Sequence, residues 1–209
     1  MSSILGSTTI EERLTRIENG KKILVVGPGL NYDAPDLETT THAGYQIFAI
    51  DISQVACKIS EENLKKQWDA IDLSRMAMAP LAPQVIEAEF ETTLARPSAV
   101  GLDLASVDIY YLCRFIGCMS DRAAKSILHE IGRISLSQEG DQEKKKKVVV
   151  INAYAEDNPG VKSKTSKLRS REFIVSTLSL GAGRPLRITK EQMYMYFKKN
   201  VTAMTIIAE

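Results

Sequence analysis

The sequence is short of the residues that mark specialised classes. Its three cysteines, Cys57, Cys113 and Cys118, are an odd number at irregular spacing. They form neither a disulfide framework nor a zinc pattern, so a reducing compartment is expected and no metal is assigned. Neither charge sign is in excess: 27 Lys and Arg stand against 26 Asp and Glu, a net charge of +1. A chain so balanced carries no bulk field to draw in a polyanion or a membrane surface. No apolar run approaches the roughly 20 residues a membrane helix needs. The first residues, "MSSILGSTTI", lack the basic and apolar regions of a signal peptide. Internal repeats are absent too. A cytoplasmic protein is expected, with no membrane association and no nucleic-acid partner. Oligomeric state is open.

What is present is an alternation of apolar strands and helical segments. At 209 residues the chain suffices for one domain with a sizeable core. A single domain over 1–209 is expected, with a helical lead-in at 1–21. In that lead-in, Thr8 and Glu11 have capping-box spacing and Gly20 is placed to end the helix. "KILVV" reads as a strand buried on both faces. "PDLETTTHAG" holds a short helix closed by Gly44, and "YQIFAID" is a second strand ending at Asp51. Ser53 is placed to cap the helix "QVACKISEENLKKQW". From Asp69 to Gln84 the periodicity lapses into a loop or a short lid-like helix containing Met76, Met78, Pro80 and Pro83. "VIEAEF" and "VDIYYLC" are the third and fourth strands. Ser120 caps "DRAAKSILHEIGRISL", and "VVVINAY" is the fifth strand. A basic irregular stretch follows, and Glu172 to Leu180 is ambiguous between helix and strand. Thr189 is placed to cap a helix "KEQMYMYFKK", with "VTAMTIIA" as one last strand. The pattern predicts an α/β fold: a doubly wound, mainly parallel Rossmann-like sheet of order 3-2-1-4-5 whose last strand is antiparallel beside the fifth.

In such sheets a ligand sits at the carboxyl ends of the strands, where the order reverses. "GPG" at Gly27, Pro28 and Gly29 follows the first strand, and glycines there allow positive φ and a close approach of backbone to ligand. Asp51 ends the second strand, where a carboxylate can accept both hydroxyls of a ribose. Two nucleoside cofactors fit, a nicotinamide dinucleotide or S-adenosylmethionine. The dinucleotide fingerprint wants a third glycine three positions after the second, and Tyr32 stands there. Asn31, Tyr32 and Asp33 put bulk and an acid where a pyrophosphate needs bare amides, and an acid suits a sulfonium and an amino group better.

Taken in order, "ILVVGPG", "GYQIFAIDIS", "VIEAEFE", "VDIYYLCRFIGCMSDRAAKSILHEIGRIS" and "KVVVINAYAEDNP" resemble the successive motifs of class I S-adenosylmethionine-dependent methyltransferases. The resemblance spans roughly residues 8 to 160, and the fourth segment is nearest to the small-molecule O-methyltransferase style. It implies S-adenosylmethionine as cofactor and a small-molecule acceptor. It implies that Gly27, Pro28 and Gly29 form the turn under the methionine part, and that Asp51 holds the ribose with Ile52 against the adenine. Glu89 and Phe90, at the end of strand three, would sit by the adenine amino group. Cys113 and Arg114 would face the methionine part by their backbone. The chain departs from the family at Val25, where an acid is usual, and at Gly117 or Cys118, where many small-molecule O-methyltransferases carry a general-base histidine. The family's final hairpin is shortened to one clear strand. No catalytic residue is assigned.

Plainer roles compete for several of these residues. Gly27 and Gly29 also suit an ordinary turn, Asp51 a helix N-cap, and Glu89 and Glu91 a solvated strand end. His42 and His129 lie away from the expected chemistry, and a lone Trp68 in a helix is more often core than an adenine platform. Lys162, Lys164, Lys167, Arg169 and Arg171 could meet phosphates, but no aromatics interleave with them as on a single-stranded nucleic-acid platform. Cys118 has nothing obvious to lower its pKa. Asp157 or Glu156 could supply a base in place of histidine. Two further functions stay open: a methyltransferase-like fold with weak or no catalysis that serves as a binding or partner subunit, and a nicotinamide dinucleotide oxidoreductase.

Overall fold

The structure, a computed structural model, describes residues 21–29, 37–75, 80–96, 101–113, 115–136, 148–154, 171–196 and 199–207. The N-terminal helix expected over residues 8–20 lies outside these, as do Asn31, Tyr32, Asp33, Met76, Met78 and Arg114. So do Glu156, Asp157, Lys162, Lys164, Lys167 and Arg169.

Strand β1 (Lys21–Val26) lies between two parallel neighbours, β2 (Tyr45–Asp51) and β4 (Ile109–Cys113). Beyond β2 runs β3 (Gln84–Glu87), and beyond β4 runs β5 (Val148–Tyr154), both parallel to the strands they join. Successive strand residues point to opposite faces of a sheet, and here both faces are covered. Leu24, Val26, Phe48 and Ile50 belong to one apolar cluster, while Ile23, Val25, Ile47 and Ala49 belong to another. That is why "ILVV" and "IFAI" read as unbroken apolar runs rather than alternating ones. Each such buried aliphatic side chain contributes about 1.5–3 kcal/mol by leaving water.

The second cluster takes in Leu37 of α1 (Leu37–His42) and Leu64 of α2 (Gln54–Ala70). Trp68 packs at its margin, so the lone tryptophan serves the core. The first cluster takes in Leu94 of α3 (Phe90–Ala95), then Ala124, Ile127, Leu128 and Ile131 of α4 (Asp121–Ile131). Ile174 and Leu178 of α5 (Arg171–Ala182) complete it. The caps are local. Ser53 Oγ accepts from the Ala56 amide at 3.3 Å and Ser120 Oγ from the Ala123 amide at 3.2 Å. The chain leaves α1 through Gly44 at φ +82°.

The sheet has the order β3-β2-β1-β4-β5-β7-β6, with β7 (Lys199–Ile207) antiparallel to β5. Here several expectations are corrected. The described residues of the expected helix at 190–199 are strand. Arg187–Tyr196 is a strand, β6, paired antiparallel with β7. The C-terminal end is therefore a full hairpin and not one shortened strand. In "QMYMY" methionine and tyrosine alternate, a period-2 pattern that the helical reading overlooked. The third strand stops at Glu87, so Phe90 opens a helix instead of ending a strand. The stretch 172–180 is settled as helix within α5. The region 69–84 holds a single short 3-10 turn, Leu73–Arg75, among its described residues.

Helix α4 ends at Ile131 and widens into a π turn, Gly132–Leu136. α5 approaches closely at this point. A Cβ on Gly132 would strike the Leu178 carbonyl oxygen, and one on Gly181 would strike the His129 carbonyl. Two glycines thus let the two helix backbones meet at a distance no side chain allows.

Candidate functional site

The site is built where β1, β2 and β4 end side by side, the place at which strand order reverses. β1 stops because Gly27 and Gly29 turn the chain at φ +62° and +55°, a region side chains other than glycine rarely enter. The Gly27 amide still donates to the Ile50 carbonyl at 2.9 Å, which ties the turn to β2. Its missing side chain has a second use. A Cβ at Gly27 would lie 2.9 Å from Phe115 Cδ2. Phe115 opens the 3-10 turn Phe115–Cys118 after β4, and its ring meets Phe90 edge-on with centroids 5.9 Å apart. The end of β4 therefore wedges an aromatic ring under the end of β1.

Asp51 is the centre of the site. Its Oδ2 accepts the Gly29 amide at 3.3 Å and its Oδ1 accepts the Ser53 amide at 2.9 Å. The strand-two acid thus locks the glycine turn to the entrance of α2. It does not cap that helix, since Ser53 is the N-cap. Each carboxylate oxygen has two lone pairs, so both keep an acceptor position for a diol. Beneath Asp51, the Cys57 thiol donates to the Asp51 carbonyl at 3.5 Å and to the Ile86 carbonyl at 3.8 Å. Burial, and then the charges of Asp51 and Glu87, push this thiol above its ordinary range, so it is an inert part of the support.

Beside Asp51 the chain exposes two aliphatic residues, Ile52 at 69% and Val55 at 67%. Pro28 is buried within the turn. Glu89 stands at the N-cap of α3 with its side chain exposed, and its Oε2 accepts from Thr92 Oγ1 at 2.5 Å. Phe90 is 4% exposed, belongs to the core cluster and lies edge-on to Phe115. Its side chain is thus withheld from a ligand on the rim. Cys113 ends β4, in register with Asn152 of β5. Arg114 lies outside the described residues.

The two histidines stay apart from this edge. His42 closes α1 just before β2 begins, 3.8 Å from Glu38, and His129 is half-buried toward the far end of α4, 3.5 Å from Glu130. Val25 is 1% exposed inside the second cluster, so β1 offers no carboxylate there. Among the described residues no group of three His, Cys, Asp or Glu side chains could hold a metal ion. No described helix is long and apolar enough to cross a membrane. Two residues of the site went unread in the sequence. Phe115 acts through a contact with a distant residue that no local pattern signals, and Cys57 looks like any apolar helix position.

No protein-family profile and no curated protein sequence matches the chain. Its similarity is to solved structures, at low identity. A S-adenosylmethionine-dependent methyltransferase from Aquifex aeolicus is 16% identical over 95% of this chain and 89% of that one, with a TM-score of 0.57. The magnesium protoporphyrin IX methyltransferase of Synechocystis, solved with bound SAM, is 9% identical over 94% and 74%, with a TM-score of 0.56. A structure described as MtNAS in complex with MTA and tNA is 13% identical over 95% and 57%, with a TM-score of 0.52. The fold is therefore that of the class I S-adenosylmethionine-dependent methyltransferases.

Proposed function

We propose that the chain binds S-adenosylmethionine at the ends of β1 and β2 and transfers its methyl group to a small-molecule acceptor. One observation carries the reading. A carboxylate at the end of β2 holds a positive-φ glycine turn by the Gly29 amide and keeps acceptor capacity for a ribose diol. In this reading Gly27, Pro28 and Gly29 underlie the methionine part, and Asp51 accepts the ribose hydroxyls. Ile52 covers one face of the adenine, Glu89 faces its amino group, and the backbone of Cys113 and Arg114 borders the methionine part. The exposed Ile52 supports a stacking partner there, since an aliphatic side chain beside a charged one is better covered than wet.

Bound in this way, the sulfonium supplies an already activated methyl group. The chain's task is then to align an acceptor in line with it and to exclude water, which can supply most of the rate. A base is needed only where the acceptor must lose a proton before attack. Neither histidine is at the site, which favours a nitrogen, thiol or carboxylate acceptor over a simple phenol. A net charge of +1 favours a small acceptor over a polyanion, and a cytoplasmic setting suits the free, buried Cys57.

The test is to incubate the chain with doubly labelled S-adenosylmethionine and a cell metabolite extract, beside purified RNA and protein. Label in small molecules with release of S-adenosylhomocysteine supports the proposal. Release of methylthioadenosine would mean that the sulfonium is attacked at a different carbon, and would overturn the methyl-transfer part alone. A second reading, a binding or partner subunit with little catalysis, is favoured by Val25. Its burial among apolar side chains leaves the cofactor amino group without a β1 carboxylate. Cofactor affinity in the high micromolar range, with no label transferred, would support it.

A further inference from the structure

Ser60 lies in the second turn of α2 with its side chain fully buried, 0% exposed. A serine inside a helix ordinarily turns its hydroxyl to water or back to the carbonyl four residues earlier. Ser60 reaches out of its helix instead. Its Oγ donates to the Gly29 carbonyl, 3.3 Å away and 31 positions earlier in the chain. Gly29 is thereby held at both of its polar groups, its N–H by Asp51 Oδ2 and its C=O by Ser60 Oγ. Among the described residues, none lies within 4 Å of the position a Cβ on Gly29 would take. Two side-chain hydrogen bonds therefore set the direction of the peptide groups on either side of Gly29.

We infer that Ser60 is a positioning residue of the ligand site: by holding the Gly29 carbonyl toward α2, it fixes the glycine turn in its binding conformation before the ligand arrives. The inference rests on the reading of this edge as a S-adenosylmethionine site. Ser60 touches no ligand and acts through Gly29. A turn fixed in advance spares binding the cost of ordering it. Without the hydroxyl, a glycine at φ +55° regains the wide conformational freedom its missing side chain allows.

The test compares Ser60→Ala and Ser60→Cys with Thr177→Val. Thr177 is a second buried hydroxyl, bonded to the Phe173 carbonyl in α5, and controls for the general loss of a buried hydrogen bond. Three quantities are read on each protein: hydrogen exchange of the Gly29 amide by NMR without ligand, S-adenosylhomocysteine affinity by calorimetry, and the urea midpoint. Both Ser60 variants are expected to speed Gly29 exchange and to weaken the ligand about 3–10-fold, the scale of one neutral hydrogen bond. Thr177→Val is expected to lower the urea midpoint without either effect. Unchanged Gly29 exchange in Ser60→Ala would overturn the inference. So would a loss of affinity no larger than that of Thr177→Val, or wild-type affinity in Ser60→Cys, which would assign Ser60 to packing. If the wild-type chain binds no S-adenosylhomocysteine, the proposed function falls and the positioning role falls with it, even where exchange shows that Ser60 restrains Gly29.

Discussion

Gly27 and Gly29 offer a matched pair for separating backbone strain from steric contact. Both have positive φ, +62° and +55°, so alanine at either pays the left-handed penalty of about 1–2 kcal/mol. Among the described residues, the new Cβ meets Phe115 Cδ2 at 2.9 Å at Gly27 and nothing within 4 Å at Gly29. Phe115 cannot yield freely, because its ring is packed edge-on against the buried Phe90. Overpacking of this kind costs a further ~1–3 kcal/mol. Gly27→Ala should therefore be less stable than Gly29→Ala by about 1–3 kcal/mol. In a chain of this size that separates their melting temperatures by roughly 2–4 °C per kcal/mol. Calorimetric melting of the two variants measures the difference. Adding Phe115→Ala to Gly27→Ala should recover the contact part and leave the backbone part, which a double-mutant cycle isolates. Equal melting temperatures, or a cycle with no coupling, would refute the wedge of Phe115 under the glycine turn.

Four further outcomes are expected. Asp51→Ala should weaken S-adenosylhomocysteine by about 1.5–3 kcal/mol, the scale of a charged hydrogen-bond acceptor, as read by calorimetry on a variant that keeps its circular dichroism. Tyr110→Phe should lower urea stability by about 1 kcal/mol, because the buried Tyr110 hydroxyl donates to the Leu104 carbonyl at 2.6 Å. Gly181→Ala should cost about 3 kcal/mol or more, since its Cβ would drive α5 off the His129 carbonyl; thermal melting checks this. Cys57 sets a pH dependence. Its thiol is raised above 9.0 in the folded chain by burial, so above that pH the unfolded chain sheds a proton the folded one keeps. Stability should fall as pH rises from about 9 through the folded pKa, and urea titrations of Cys57→Ala should show a shallower fall than the wild type.

The central sheet was readable because burial on both faces leaves a continuous apolar trace, as in β1 and β2. The glycine turn and the place of Asp51 at the end of β2 were readable because a positive-φ turn calls for glycine and an acid closes the apolar run. The β6 strand was missed because Lys190, Glu191 and the following Met and Tyr residues also fit a helix, and pairing with β7 overrode that local preference. Phe90 was misplaced because the third strand was read three residues too long: β3 ends at Glu87, and α3, six residues long, is too short to show periodicity. The clamps on the turn lay beyond any sequence pattern. Ser60 to Gly29 spans 31 positions, and Phe115 meets Gly27 only because β4 lies beside β1.

The most direct test of the account is a calorimetric titration of the wild-type chain with S-adenosylhomocysteine, with the nicotinamide dinucleotides, and with both again on Asp51→Ala. The account predicts saturable binding of S-adenosylhomocysteine that is lost or strongly weakened in Asp51→Ala, and no binding of the dinucleotides. Binding of a dinucleotide in its place, or S-adenosylhomocysteine affinity indifferent to Asp51, would contradict it.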